Sequence, residues 1–150
     1  MSLPVRLTLV VMVICVLVAN FSGVQSDETK HGEVKQTPAE IMRSFTTIYV
    51  HSKTWLAKPE FVAGQLQKEK EFDAWGLAIS NNPNADVIVE IDHQPGWFYY
   101  TYSMTHQASG IVLATGKVTA ADGKLASTQI GKKLIKRIAQ YRNASDKKSE

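Results

Sequence analysis

The stretch Asp86–Thr119, DVIVEIDHQPGWFYYTYSMTHQASGIVLATGKVT, decides the fold. It is rich in β-branched and aromatic residues, which favour strands, and Pro95-Gly96 is a turn-forming pair. Apolar and polar side chains alternate on both sides of that pair, and successive side chains of a strand point to opposite faces of a sheet. The stretch therefore predicts consecutive antiparallel strands with one apolar and one polar face.

The pairing of the first two strands follows if Pro95-Gly96 forms a two-residue turn. The apolar face then pairs Val87 with Met104, Val89 with Tyr102 and Ile91 with Tyr100. The polar face pairs Glu90 with Thr101 and Asp92 with Tyr99. A one-residue slip would mix the two faces, so the sequence specifies the register well. Because a Pro-Gly pair favours a type II turn, which splays a tight hairpin, a wider loop is the alternative.

Gly110–Thr119 supplies a further strand, whose inward face is left open between Ile111/Leu113 and Val112/Ala114/Val118. Upstream, Phe45–His51 and Trp75–Ser80 have strand composition. Between them, Pro59 fits the first turn of a helix that extends to about Asp73. The predicted apolar stripe of this helix consists of Phe61, Val62, Leu66 and Phe72.

The closing helix is predicted over about 124–142, where apolar residues recur at helical spacing. Ile130, Leu134, Ile138 and Tyr141 lie within a narrow arc. The complete pattern predicts an α+β domain, which is a mainly antiparallel sheet of about five strands with two helices packed on one face, in the order β-α-β-β-β-β-α.

Residues 1–26 are predicted to be a cleavable export signal. Arg6 precedes an apolar run of about 13 residues, too short to span a bilayer, and Val24-Gln25-Ser26 is a small-x-small cleavage site. The single cysteine, Cys15, lies in this segment, so the mature chain would contain no disulfide. Residues 27–42 are predicted to be a flexible linker, 43–142 a single domain and 143–150 a disordered tail.

The order of these elements resembles that of a group of envelope domains. Lys58-Pro59-Glu60 opens a helix, Ala85–Val89 is an "A-D-hydrophobic" strand, and Ser109–Ala114 leads to the last strand before an amphipathic helix. The pattern, over about 45–142, resembles small bacterial envelope domains related to the N-terminal domain of TolB and to CsgG, and many uncharacterised exported bacterial proteins. The resemblance implies a non-enzymatic part of an envelope assembly.

Trp97, Tyr99, Glu90 and Asp92 are the candidate partner-binding residues. Trp97 and Tyr99 are aromatic residues on the predicted outer face beside the turn, whereas Phe98 between them is assigned to the core. Exposed aromatic residues are enriched at binding sites. Glu90 and Asp92 share that face, so they offer a second hypothesis, a hydrolase or an ion-dependent enzyme. A solvated surface also accounts for these acids, and a small-ligand carrier is a third hypothesis.

The closing helix also carries a candidate site for anionic surfaces. Six basic and no acidic residues lie between Lys124 and Arg142. The cluster consists of Lys132, Lys133, Lys136 and Arg137, which could bind phosphate groups. Export makes nucleic acid an unfavoured partner, and the histidines (His31, His51, His93 and His106) do not have metal-site spacing. No catalytic residue, metal or cofactor is predicted, and an envelope protein is the expected partner.

Overall fold

The computed structural model describes residues 36–146. The predicted export signal and most of the predicted linker therefore lie outside the described residues. The described elements, in chain order, are α1 (Pro38–Ser44), β1 (Thr47–Ser52), α2 (Pro59–Lys68), α3 (Lys70–Ala74), β2 (Ala78–Ser80), β3 (Val87–His93), β4 (Tyr99–His106), β5 (Val112–Thr119) and α4 (Gly123–Asp146).

The predicted α+β class is confirmed, with a five-stranded sheet in the order β2-β1-β3-β4-β5. The prediction of a mainly antiparallel sheet is wrong, because β1 pairs in parallel with both β2 and β3. Only β3, β4 and β5 pair antiparallel. The helical segment between β1 and β2 carries the chain back across the sheet, so β2 begins at the same edge as β1.

Three helical segments differ from the prediction. Helix α1 lies partly within the predicted linker 27–42, because Pro38 occupies its first turn and Thr37 and Glu40 form a capping box. The helix predicted from Pro59 to about Asp73 is broken at Glu69, whose backbone is extended, and continues as α3. Helix α4 ends at Asp146, beyond the predicted domain boundary at residue 142.

The β3–β4 register differs by two residues from the predicted one. Val89 pairs with Met104 and Ile91 with Tyr102, because the connection spans residues 94–98 and is wider than a two-residue turn. Glu90 accordingly pairs with Ser103, and Asp92 with Thr101. An offset of two preserves the faces, so the predicted apolar side is still the buried one.

The helices cover the face of the sheet that carries Val87, Val89 and Ile91, each with 0% of its surface exposed. Strand β5 contributes to this core through a bulge. Met104 pairs with Ala114 and Thr105 with Val112, which leaves Leu113 as the extra residue. Leu113 and Val118 are therefore both buried although they are five positions apart. The bulge resolves the inward face that the sequence had left open.

Asp86 joins the starts of β1 and β3. Its Oδ2 accepts hydrogen bonds from the backbone N–H groups of Thr46 (2.8 Å) and Thr47 (2.9 Å) and from the Thr46 hydroxyl (3.0 Å). In return, the Asp86 N–H donates to the Thr47 hydroxyl at 2.8 Å. The hydrogen bond from the Thr46 backbone is the main cause that lowers the pKa of Asp86.

Arg142 connects the end of α4 to the elements around it. Its guanidinium donates to the carbonyl oxygens of Met42 (3.2 Å), Trp75 (3.1 Å) and Phe45, and it lies over the Phe45 ring. Burial lowers the pKa of Arg142. This single side chain therefore attaches α4 to α1 and to the turn after α3.

Within residues 36–146, no helix combines the length and apolarity that crossing a bilayer requires.

Candidate functional site

Two loops and two helix starts at one end of the domain carry most of the exposed large apolar side chains of the described residues. The carboxyl ends of β1, β3 and β5 lie at the same edge of the sheet, because β1 is parallel to β3, and β4 is antiparallel to both β3 and β5. Helices α2 and α4 begin at this edge. Of the large hydrophobic residues exposed in the described part of the chain, all but Val112 lie here: Trp55, Phe61, Trp97, Phe98 and Leu125.

We call Trp55, Trp97 and Phe98 the aromatic end. Trp55 lies in the β1–α2 loop and is 85% exposed, while Trp97 (57%) and Phe98 (71%) lie in the β3–β4 loop. Phe98 corrects the sequence prediction, which assigned it to the core. The wider loop removes it from the strand alternation. Phe61 is likewise exposed, because it lies in the first turn of α2 away from Val62 and Leu66.

The aromatic end has a fixed framework beneath it. An open cavity of about 370 Å³ is lined by Leu56, Trp97, Phe98 and Asp122, among others. The Ala120 N–H donates to the Phe98 carbonyl at 2.9 Å, which attaches the β3–β4 loop to the chain after β5. A side chain on Gly123 would meet the Leu56 carbonyl at 1.6 Å, so α4 begins directly against the β1–α2 loop.

The predicted pair Trp97 and Tyr99 is brought together. Their ring centroids are 5.8 Å apart, and the Tyr99 hydroxyl donates to Gln94 Oε1 at 2.8 Å. The Trp97 carbonyl lies 2.8 Å from His93 Nε2, and Lys117 Nζ is 4.6 Å from the centroid of the Tyr99 ring. These contacts hold the β3–β4 loop in one orientation without burying the Trp97 indole.

The predicted acids lie on the open face of the sheet, as the strand alternation requires. The Glu90 carboxylate forms a salt bridge with Lys53 Nζ at 2.7 Å, and this hydrogen bond is the main cause that raises the pKa of Lys53. Asp92 Oδ1 accepts the His93 N–H at 2.7 Å. Both acids line a shallow cavity of about 460 Å³ together with Thr101, Ser103 and Lys117.

The remaining histidines do not join these acids. His51 lies beside Tyr49, with ring centroids 6.4 Å apart, and His106 Nδ1 lies 2.8 Å from the Ser109 hydroxyl. His31 lies outside the described residues. Among the residues that the structure describes, no group of three or more His, Cys, Asp and Glu side chains converges as metal ligands would.

The predicted basic cluster is divided by the structure. Lys133, Lys136 and Arg137 line an open groove of about 490 Å³ between α4 and the free side of β5, whereas Lys132 is exposed on the same helix but is not among the lining residues. The β5 side of this basic groove contains Val112, Ala114 and Thr115. Buried Tyr102 lies beneath it, and burial is the main cause that raises the pKa of Tyr102.

Sequence reasoning missed Trp55 and the edge of β5. Trp55 directly follows the polar run Ser52-Lys53-Thr54, between a strand and a helix. An isolated tryptophan in such a loop is the signal that could have identified it. The three cavities have volumes in the range of small-ligand pockets, so the carrier stays a hypothesis.

No protein-family model matches the chain, and no curated protein does. Among solved structures, the chain is similar to a dodecamer of a PelC variant from Paraburkholderia phytofirmans, with 14% sequence identity and a TM-score of 0.38. The similarity covers 64% of this chain and 87% of that chain. A TM-score this low carries no argument about function, so the proposals below rest on the surfaces described above.

Proposed function

We propose that the chain is an exported, non-enzymatic binding domain of the cell envelope, and that its aromatic end contacts a protein partner. One observation carries the proposal. Exposed large apolar side chains are concentrated at a single end of the domain, on two loops and on the first turns of α2 and α4. Single exposed apolar residues are ordinary on protein surfaces, but a contiguous group with a polar rim is typical of an interaction site.

The composition of the aromatic end favours a protein over a membrane surface. Tryptophan is enriched among the few residues that carry most of the binding energy of protein interfaces, and phenylalanine is enriched in their composition. Asp122 lines the same cavity as Trp97 and Phe98, Asp92 lies near the end of β3 that leads into their loop, and Glu90 is paired with Lys53. Acids in this position would oppose contact with anionic lipids but would form the polar rim of a protein interface.

The export part of the proposal rests on the sequence of residues 1–26. Expression of the full chain in a bacterial host, followed by fractionation and N-terminal sequencing, tests it. We expect mature protein outside the cytoplasm that begins at Asp27. Recovery of the uncleaved chain in the cytoplasm would contradict export and would leave the binding surface untouched.

Site-specific photo-crosslinking tests the binding surface. A photoreactive phenylalanine analogue is placed at Trp55, Trp97 or Phe98, and at Gln67 as a control. Gln67 is exposed but lies near the end of α2, away from the aromatic end. We expect one shared adduct of defined mass from the three aromatic positions and none from Gln67. Equal adducts from all four positions, or adducts only with lipid, would overturn the assignment.

A further inference from the structure

Strand β5 is an edge strand with backbone groups available for pairing. Within residues 36–146 it pairs with β4 alone, so its other side has no neighbouring strand. Lys133 Nζ donates to the Lys117 carbonyl (2.8 Å), and Gln129 Nε2 donates to the Thr119 carbonyl (3.3 Å). These side chains of α4 cover the edge at residues 117–119. Residues 112–115 of the same edge line the basic groove.

The same two hydrogen bonds indicate which way the Thr115 backbone points. The Lys117 and Thr119 carbonyls accept from α4, so they are directed away from β4. In an antiparallel pair the outward and inward residues alternate, which directs the N–H and C=O of Thr115 away from β4 as well. Thr115 is exposed and follows the bulge, so the alternation from residue 119 down to 115 is unbroken.

The cations of the basic groove run alongside this free edge. Residues 112–115 of β5 extend over roughly 10 Å at ~3.3 Å per residue. Residues 133–140 of α4 extend over about the same distance at ~1.5 Å per residue. Lys133, Lys136 and Arg137 line this length, and no acidic residue is among those that line the groove. A segment added to β5 would therefore lie beside three positive charges.

We propose that the basic groove binds an extended acidic segment of a partner protein, which pairs with β5 as a sixth strand. The backbone of the segment forms hydrogen bonds with Thr115, and alternate side chains point towards α4 because side chains alternate along a strand. Carboxylates at every second position then meet Lys136 and Arg137. An apolar residue of the segment covers Val112, which is 55% exposed. This surface is separate from the aromatic end.

The charge and shape of the groove disfavour other occupants. A second copy of the chain paired through β5 would bring two sets of these cations together, and like charges oppose such an interface. A bilayer is flat, whereas Thr115 and Lys136 line a groove between a strand and a helix. An extended chain fits this shape and also uses the free backbone groups, which a lipid headgroup does not.

The test uses an acetylated fluorescent octapeptide in which glutamate and threonine alternate, and a lysine–threonine octapeptide as the control. We expect saturable binding of the acidic peptide alone, measured by fluorescence anisotropy. Lys136→Glu and Arg137→Glu should each weaken it by about tenfold or more, because a charge reversal replaces attraction with repulsion. Lys132→Glu, on the same helix but outside the groove, should change the affinity by less than about twofold.

Backbone pairing is tested separately from charge. In the wild-type protein, the acidic peptide should slow hydrogen exchange of the Thr115 amide and leave exchange in β3 unchanged. Thr115→Pro removes the donor on the free side and should abolish binding, whereas Thr115→Ala retains the donor and should bind normally. Circular dichroism checks that both variants fold.

Several results would overturn the proposal. Binding of the acidic peptide without protection of the Thr115 amide would show a purely electrostatic contact. Binding to vesicles that contain anionic lipid, with no binding of the peptide, would identify a membrane surface. Protection of Thr115 by dimerisation of the free protein, detected by sedimentation, would identify a second copy as the occupant. None of these results would affect crosslinking at the aromatic end.

Discussion

Asp86→Ala removes the carboxylate that joins β1 to β3, and we expect it to be among the most destabilising single changes outside the core. One side-chain oxygen accepts three hydrogen bonds from Thr46 and Thr47, which are about forty positions earlier in the chain. Hydrogen bonds to charged groups contribute about 1.5–3 kcal/mol each. The three share an oxygen, and Thr46 is exposed to water that can replace a lost acceptor, so we expect a total loss of about 3 kcal/mol.

Asp86→Asn tests the charge separately from the geometry. Charge-assisted hydrogen bonds are about twice as strong as neutral ones, so the amide oxygen should retain roughly half of the stabilisation. Urea unfolding at pH 7, followed by circular dichroism, measures both variants. With a slope of ~1–3 kcal/mol per molar, the Asp86→Ala midpoint should fall by about 1–3 M with an unchanged slope. Asp73→Asn, at an exposed carboxylate in α3, is the matched control and should stay within about 0.5 kcal/mol of wild type.

The pH dependence has a definite sign. The pKa of Asp86 is lowered in the folded protein, so its contribution is complete above the pKa of the unfolded chain and is lost as the pH falls through the lowered value. The stability difference between wild type and Asp86→Asn should therefore shrink in acid. A difference below about 0.5 kcal/mol at pH 7 for Asp86→Ala, or a difference that grows towards low pH, would refute the reasoning.

Two further stability predictions follow from close contacts. Gly123→Ala should destabilise by about 3 kcal/mol or more, because its Cβ would lie 1.6 Å from the Leu56 carbonyl. Gly64→Ala, in α2 with open space around it, should instead stabilise by up to about 1 kcal/mol. Thermal unfolding measures both, and equal effects would contradict the contact. Arg142→Lys should cost about 1–3 kcal/mol, because an ammonium cannot reproduce the guanidinium fork on three carbonyl oxygens. A melting temperature equal to that of wild type would exclude this role.

The sequence contained the local features of this fold. The antiparallel meander β3–β4–β5 and the closing helix follow from periodicity, because alternation and helical spacing are properties of neighbouring residues. The parallel pairing of β1 could not be read in the same way, since its partner β3 begins about forty residues later. The two-residue offset of the β3–β4 register depends on contacts inside the loop, such as that between His93 and the Trp97 carbonyl.

The candidate sites likewise combine features that the local sequence pattern predicts with features that only the sheet order shows. The helical pattern identified Lys133, Lys136 and Arg137 as neighbours on one face, but only the sheet order places them beside a free edge strand. Trp97 was predicted from the hairpin. Trp55 was not, because its position at the same end of the sheet as Trp97 depends on β1 and β3 being parallel. Phe98 was assigned to the core because the predicted turn was too short by three residues.

The parallel pairing of β1 with β3 has a consequence for the order of folding. Strands β3, β4 and β5 are joined by short connections and can pair as soon as they are available, whereas β1 must close a loop of about forty residues first. Asp86 forms its bonds to Thr46 and Thr47 only after that closure. We therefore expect φ-values to be high for substitutions in the meander and near zero at Asp86. Of the described strands, β1 is then the first to be synthesised, but it pairs with β3 only after β4 has done so.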